Sequence, residues 1–436
     1  MLRINPFVYT FRQDKKIALF NALTLATLYL SEKQYKSLMK SPPKPLIEAK
    51  FFVKENFNAQ QYLQNFTKKS LNKNEIRVAY FLLTSACNLG CKYCFIESRF
   101  GQKNNNSYMS EDMAEKAVKL LFRNAKKVTI IFYGGEPLLN FKAIKRTVLT
   151  AKKLGLESRF QLITNGYLIN NEIAAFIKKH HINLAISLDG TKKINDAMRK
   201  DLRGRGTYDK AMAAMELLSK KKVPFSISCT IANHNIDCPD NILKVMEKYD
   251  VKTLGYNLVT PNQSVKISKA TRQKMVENIL KTENLLIEKG IFEDRIISRK
   301  LKPFIEGKNW IKDCAGYGNQ ITVTPEGSVG PCHGLWPDFV NKQVKNTYFD
   351  IDVNYKGKIK EHPTWTEWSM RTPLNMPQCW DCYGIGLCGG GCAKNSVIKK
   401  GSIWEIDEEH CVLVKEAIPW VIWKYRELKL SKQKQG

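Results

Sequence analysis

Apolar and polar positions along this chain of 436 residues follow two periods. Short apolar runs of strand length occupy residues 79–85, 128–133, 160–164, 184–188, 225–231 and 253–259. Between them, residues 111–122, 141–154, 171–180, 208–218 and 241–249 place apolar side chains every three or four positions, the period of a helix buried along one face. Strand and helix taking turns in this way predict a parallel sheet wrapped by helices, an α/β fold. Before that region, residues 7–11 and 16–20 read as two short strands around Gln13-Asp14-Lys15. Ser31 stands as an N-cap ahead of an amphipathic helix, and residues 46–53 read as a further strand. After it, residues 271–289 form the clearest helix of a polar connecting stretch. Four segments are expected: an N-terminal unit at 1–72, the alternating region at 73–262, a linker at 263–303 and a C-terminal domain at 304–436.

The chain carries 12 cysteines. Its opening, Met1 to Phe7, lacks the charged-then-apolar pattern of a secretory leader. A reducing, cytoplasmic setting is therefore expected, in which grouped thiols ligate metals more often than they form bridges. The longest apolar-looking run, residues 18–30, includes Asn21, Thr24 and Thr27 and falls short of the roughly 20 residues that span a bilayer. Residues 418–425 are shorter still, so no membrane segment is expected. The net charge of +29, from 70 Lys and Arg against 41 Asp and Glu, is compatible with steering of acidic partners or with a lysine-rich solvated surface. Basic residues occur singly or in short runs such as 220–222, without the interleaved aromatic residues of single-strand binders. Nucleic acid is not expected as a partner.

The chemistry concentrates in Cys87-Asn-Leu-Gly-Cys91-Lys-Tyr-Cys94, directly after the first strand of the alternating region. Three thiolates can hold three irons of a cubane cluster and leave the fourth open to a small molecule. A structural zinc site, the alternative, fills its fourth position with protein. The C-x3-C-x2-C spacing, with aromatic Tyr93 before the last cysteine, resembles the cluster loop of the radical S-adenosylmethionine (SAM) superfamily. That resemblance implies a partial (β/α)6 barrel in which the open iron chelates SAM, and reductive cleavage gives a 5′-deoxyadenosyl radical. Further motifs follow successive strands, at the end where parallel barrels hold ligands. Gly134-Gly135-Glu136-Pro137 resembles the superfamily's GGEP loop, which binds the SAM amino group. Thr164-Asn165-Gly166 stands where relatives have TNG. Ser187-Leu188-Asp189-Gly190, with Arg199 beyond, resembles the segment reaching the ribose and carboxylate of SAM. Each motif alone is also ordinary turn chemistry.

Beyond residue 310 lie Cys314, Cys332, Cys379, Cys382, Cys388, Cys392 and Cys411. Their spacing, with Gly327 and Gly389-Gly390-Gly391, resembles the SPASM domain, which carries auxiliary 4Fe-4S clusters. The resemblance implies an outer cluster on Cys379, Cys382, Cys388 and Cys411 and an inner one on Cys314, Cys332 and Cys392. With the SAM-binding cluster this makes three 4Fe-4S clusters. No thiol follows in residues 315–320, where some relatives supply one, so the inner cluster is expected to keep an open iron. A zinc-ribbon reading accounts for Cys379 and Cys382 only. His333 follows Cys332 where the sulfatase-maturing branch has an aspartate base. It is the one catalytic candidate, with simple packing beside a cluster as the alternative. Cys229 and Cys238 are left over. Cys229 would either donate a hydrogen atom inside the barrel or fill the core.

The N-terminal pattern of hairpin, helix and strand resembles the winged-helix-like element that holds leader peptides by strand addition. Together these resemblances imply a maturase of a ribosomally made precursor peptide, supplied with electrons by a low-potential donor such as flavodoxin or ferredoxin. The reaction expected is an intramolecular crosslink, foremost a carbon-carbon cyclophane between an aromatic ring and a β-carbon. Thioether or ether crosslinking, sulfatase maturation and non-catalytic metal or nucleic-acid binding are the alternatives.

Overall fold

The computed structural model describes residues 1–71, 75–94, 96, 106–236, 239–259, 266–293, 298–340 and 348–435. Two compact units emerge. The first combines Met1–Lys73, Ile297–Cys314 and Arg371–Gly436; the second combines Asn74–Ile296 and Ala315–Met370. This grouping differs from the four segments read along the sequence, whose boundaries at 72–73 and 262–263 lie outside the described residues.

The first unit begins with strands β1 (Leu2–Ile4), β2 (Val8–Gln13), β3 (Lys16–Asn21), β4 (Thr27–Ser31) and β5 (Phe52–Lys54). β2, β3 and β4 form an antiparallel sheet, and β1 pairs with β5. The β2–β3 turn consists of Asp14 and Lys15, at φ +49 and +60, a left-handed pair whose twist matches that of the flanking strands. Ser31 caps the helix Glu32–Lys40 in a reciprocal box: its hydroxyl accepts from the Gln34 amide at 3.3 Å while its own amide donates to Gln34 Oε1 at 2.8 Å. The strand expected at 46–53 shortens to β5. Pro45 favours a helical start and Lys44–Glu48 forms one; Lys50 at φ +59 then turns the chain into the strand.

The apolar stretch near residue 420 lies in the long helix Glu408–Gln435, where Ala417, Ile418, Val421 and Ile422 are fully buried. The Tyr29 hydroxyl donates to the Ile422 carbonyl at 2.6 Å. Tyr9 and Phe11 place their rings edge-on to Tyr383, and Phe304 packs between Phe20 and Tyr425. The N-terminal strands thus share one core with the segment that carries Cys379 to Cys411.

The second unit is built on a ten-stranded sheet. β6 (Val78–Leu82), β7 (Lys127–Tyr133), β8 (Glu157–Thr164), β9 (Asn183–Ser187), β10 (Phe225–Ile231) and β11 (Thr253–Leu258) lie side by side in sequence order, all parallel. Each falls within a few residues of its expected position, as do the helices Glu111–Asn124, Phe141–Lys153, Asn171–Lys179, Tyr208–Lys220 and Pro239–Lys248 between them. β12 (Phe292–Glu293) extends the sheet beside β11. β13 (Gln320–Val323) joins it in parallel beside β6, followed by antiparallel β14 (Ser328–Gly330) and β15 (Ile351–Asp352). The β6–β13 pairing, reinforced by the Trp365 indole donating to the Gln320 carbonyl at 2.7 Å, is why residues 315–370 belong to this unit.

Pleating separates two faces of the sheet. One carries Phe81, Phe132, Leu162, Ile186, Ile227, Cys229 and Leu254, all essentially sealed from solvent. The helices cover it: a Cβ at Gly166 would touch both Ile186 and Ala214 of the helix Tyr208–Lys220. The register puts Tyr80, Ile131 and Gln161 in one row on the other face, and with them Ser187, Ser226, Ser228 and Asn257. That inner face is half-buried and polar, the lining of a site rather than a core. Among the described residues, no helix is long and apolar enough to cross a membrane.

Candidate active site

The three-cysteine loop leaves β6 at the carboxyl end of the sheet. It is zipped to residues 198–201: the Gly90 amide donates to the Lys200 carbonyl at 2.8 Å, the Lys92 amide to the Met198 carbonyl at 3.1 Å, and Leu89 pairs with Asp201. A turn closed by the Cys94 amide on the Cys91 carbonyl, 2.9 Å, joins the last two cysteines. Burial pushes the Cys87 thiol far above its usual range, and Glu136, Cys91 and Cys94 add to the effect. Three mutually opposing thiols in a half-buried loop favour a cationic group that offsets their ionisation.

The glycines after β7 serve this loop directly. A Cβ at Gly134, which sits at φ +128, would stand 2.4 Å from the Thr84 carbonyl oxygen, and one at Gly135 would stand 2.0 Å from that of Ala86. The close approach lets the Gly135 and Glu136 amides donate to those same carbonyls, each at 2.8 Å. The contact the glycines make is with the chain's own backbone, three residues and one residue ahead of Cys87. Glu136 is buried. Its carboxylate accepts from the Leu138 amide at 3.0 Å, the Thr164 hydroxyl at 2.7 Å and the Asn165 amide at 2.9 Å, so it fastens the turn Pro137–Asn140 to the end of β8. Burial raises its pKa to about 7 against the opposing pull of these donors. The Asn165 side chain donates to Asn88 Oδ1 at 2.9 Å and lies 4.0 Å from Cys87 Sγ.

A second brace reaches the loop from β9. Asp189, wholly buried, accepts the Tyr93 hydroxyl at 2.5 Å, Arg199 Nε at 2.9 Å, Arg199 Nη2 at 3.1 Å and the Thr230 amide at 3.0 Å. Burial alone would raise its pKa, yet the Arg199 guanidinium holds the carboxyl well below the usual range. His234 stacks on Tyr93 at 6.1 Å between ring centres. Arg199 therefore gives two of its three nitrogens to Asp189. Ser187, at the end of β9, opens onto the polar inner face.

Residues 81–243 match the model of the radical SAM superfamily. Those residues form a radical SAM domain. Among its relatives is the radical SAM cyclopropyl synthase TigE of Paramaledivibacter caminithermalis, 23% identical over 85% of this chain and 81% of that one. A cysteine-type anaerobic sulfatase-maturating enzyme of Clostridium perfringens is 28% identical over 76% of this chain and 92% of that one. Among solved structures, Streptococcus suis SuiB bound to S-adenosylmethionine shares the fold, with TM-score 0.58 and 15% identity over 94% of this chain and 99% of that one. SuiB bound to precursor peptide SuiA gives TM-score 0.54.

A radical SAM enzyme uses SAM and a 4Fe-4S cluster, and the all-thiol donor set of Cys87, Cys91 and Cys94 fits that group. Among the described residues, no three Cys, His, Asp or Glu side chains converge on the position of a single metal ion. In the first unit, Cys379, Cys382, Cys388 and Cys411 act on one another electrostatically. Burial and the neighbouring thiols push Cys379 and Cys411 up to about 12. Cys388 runs the other way: burial would raise it, but His410 and Lys300 bring it below its ordinary value. Cys314 and Cys392 belong to the first unit and Cys332 to the second.

Three residues of this region were not legible from cysteine spacing alone. Lys300, 1% exposed, donates to Asp313 Oδ1 at 3.0 Å and to the Cys388 carbonyl at 2.9 Å. His410 Nε2 lies 3.1 Å from the same carbonyl, and its pKa rises to about 9, with the nearby Cys388 thiol overcoming the effect of burial. Asp313 and His410 each immediately precede a cysteine, the one sequence signal that could have singled them out.

His333 stacks on Tyr80 of β6 at 3.8 Å and meets Tyr133 of β7 edge-on at 5.2 Å, which places it at the polar inner face. Cys229 lies on the helix-covered face, 1% exposed, which supports its reading as a core residue and removes it as a hydrogen donor inside the barrel. Cys238 lies outside the described residues.

Proposed function

We propose that this radical SAM enzyme is a maturase of a ribosomally made precursor peptide and closes an intramolecular crosslink, foremost a carbon-carbon cyclophane. The observation that carries the reading is the half-open polar sheet face, lined by Tyr80, Tyr133, His333, Ser187, Ser228 and Asn257, beside a loop of three thiols. A peptide side chain is the kind of substrate that face accommodates. The likeness of 94% of the chain to SuiB, a structure of which holds a precursor peptide, supports the same conclusion; to the N-terminal strands we assign the leader.

Cys87, Cys91 and Cys94 would ligate the SAM-binding cluster. Cys379, Cys382, Cys388 and Cys411 would ligate an outer auxiliary cluster, and Cys314, Cys332 and Cys392 an inner one. Gly134, Gly135, Glu136 and Pro137 then act chiefly by fixing the backbone ahead of Cys87, with the GGEP loop offering its remaining backbone groups to the SAM amino group. Thr164, Asn165, Ser187 and Arg199 would help to hold SAM, with Asp189 fixing Tyr93 and Arg199.

SAM and its cluster, given one electron by a low-potential donor such as flavodoxin or ferredoxin, supply a 5′-deoxyadenosyl radical. Bound there, that group would supply the means to take one hydrogen atom from a peptide β-carbon, with 5′-deoxyadenosine as product. Closing the carbon-carbon bond to the aromatic ring would then release one proton and one electron, for which the auxiliary clusters would be the acceptors. We assign His333, which stacks on Tyr80 and meets Tyr133 edge-on, as the base that would take the proton.

A second reading, maturation of a sulfatase, draws on the identity with the C. perfringens enzyme over 92% of its length. Anaerobic co-expression with the short reading frame beside the gene, followed by mass spectrometry, separates the two. A crosslinked peptide is lighter by two hydrogens with a linkage between two side chains. An unmodified peptide alongside formylglycine in a sulfatase peptide overturns the first reading.

A further inference from the structure

Lys300 projects from the helix Ser298–Glu306 and is buried with its ammonium group. It reaches the Cys388 carbonyl at 2.9 Å and Asp313 Oδ1 at 3.0 Å, while the Trp310 indole donates to the same carboxylate oxygen at 3.1 Å. The backbone locks this arrangement: the Asp313 amide donates to the Gly389 carbonyl at 2.9 Å, and Gly389, at φ +74, would place a Cβ 2.4 Å from that amide nitrogen. Burying an ion pair rarely adds stability over a well-packed apolar pair of the same volume. What distinguishes this one is its place: the cation donates both to the carbonyl of Cys388 and to the Asp313 carboxylate.

We propose that Lys300 and Asp313 form a charge pair that sets the reduction potential of the iron-sulfur cluster held by Cys379, Cys382, Cys388 and Cys411, Lys300 raising it and Asp313 lowering it. The proposal rests on the reading above that these four thiols hold a cluster. Adding an electron makes a thiolate-ligated cluster more negative, so a nearby fixed cation stabilises the reduced form and a nearby anion destabilises it. In a buried setting these charges are weakly screened. An electron leaving a substrate radical needs an acceptor of suitable potential, and a lysine aimed at the cluster's own ligand peptide supplies that bias without touching substrate. Lys300 and Asp313 are thus positioning residues acting through the cluster.

The test uses the full-length chain, reconstituted without oxygen, in a Cys87→Ala, Cys91→Ala, Cys94→Ala background, so that only auxiliary clusters contribute. Potentiometric titration followed by electron paramagnetic resonance reads the midpoints, and iron analysis reads occupancy. Lys300→Met is expected to move one midpoint to more negative values and Asp313→Asn to move the same midpoint to more positive values. The double variant and Lys300→Arg are expected near the parent, all with unchanged iron. Shifts of the same sign in both single variants, or none, overturn the proposal. If Lys300→Met loses its cluster, Asp313→Asn decides alone: a positive shift supports the proposal and a null or negative shift overturns it. A parent chain with no reducible cluster overturns the four-thiol reading, and this inference with it.

Discussion

Gly135→Ala tests whether the glycine pair exists to seat the cysteine loop. The new Cβ would lie 2.0 Å from the Ala86 carbonyl oxygen, 2.5 Å from its carbon and 2.8 Å from the Ser85 oxygen, where real Cβ atoms stay at least 3.0 Å away. The backbone ahead of Cys87 must therefore retreat by about 1 Å. Overpacking costs about 1 to 3 kcal/mol even where side chains yield. Here the yielding atoms are backbone, and the hydrogen bonds of the Gly135 and Glu136 amides to Thr84 and Ala86 are stretched, each worth about 1 kcal/mol. The expected loss is about 3 to 5 kcal/mol, or a fall of about 10 °C in Tm for a unit of this size. Thermal unfolding of the iron-free chain measures the first effect, and iron bound per chain after reconstitution measures the displacement of Cys87. Gly155→Ala is the control. It has φ +69 but nothing within 4 Å of the added carbon, so it should cost about 1 kcal/mol and bind full iron. A Gly135→Ala chain with parental Tm and parental iron would refute the reasoning.

Asp189→Ala strands Arg199 and the Tyr93 hydroxyl in a buried site, so a loss of about 3 to 5 kcal/mol is expected in denaturant unfolding; a change under about 1 kcal/mol would show the brace to be unimportant. Glu136, with its pKa raised from 4.5 to about 7, stays protonated in the fold over a range where the unfolded chain has released the proton. Its contribution to stability is present below pH 4.5 and falls as pH rises toward 7. Unfolding of the iron-free chain at pH 5 and pH 7.5 should show a smaller decline in Glu136→Gln than in the parent, and equal declines would count against the assignment. Cys229→Ala should cost about 1 kcal/mol and leave the proposed peptide crosslinking intact by mass spectrometry. Loss of product with SAM cleavage retained would return this thiol to the chemistry.

The six parallel strands and their helices could be read from the chain because each element repeats its own period, two or 3.6, within a dozen residues. The three-thiol loop was equally legible, since cysteines so close together in the chain need no folding to be recognised as a set. Local sequence could not disclose that β13 joins the sheet beside β6, or that Tyr9, Phe11 and Tyr29 share a core with Tyr383 and the final helix. Those are pairings across hundreds of residues, decided by which apolar faces remain to be covered. The strand expected at 46–53 failed for a local reason, because Pro45 and the left-handed Lys50 outweighed the apolar run. The role of Gly134 and Gly135 as contacts for the Thr84 and Ala86 backbone, and the burial of Lys300 against Cys388, belong to the tertiary structure alone. A glycine's purpose depends on which atoms approach it, and the effect of a charge depends on what surrounds it in space.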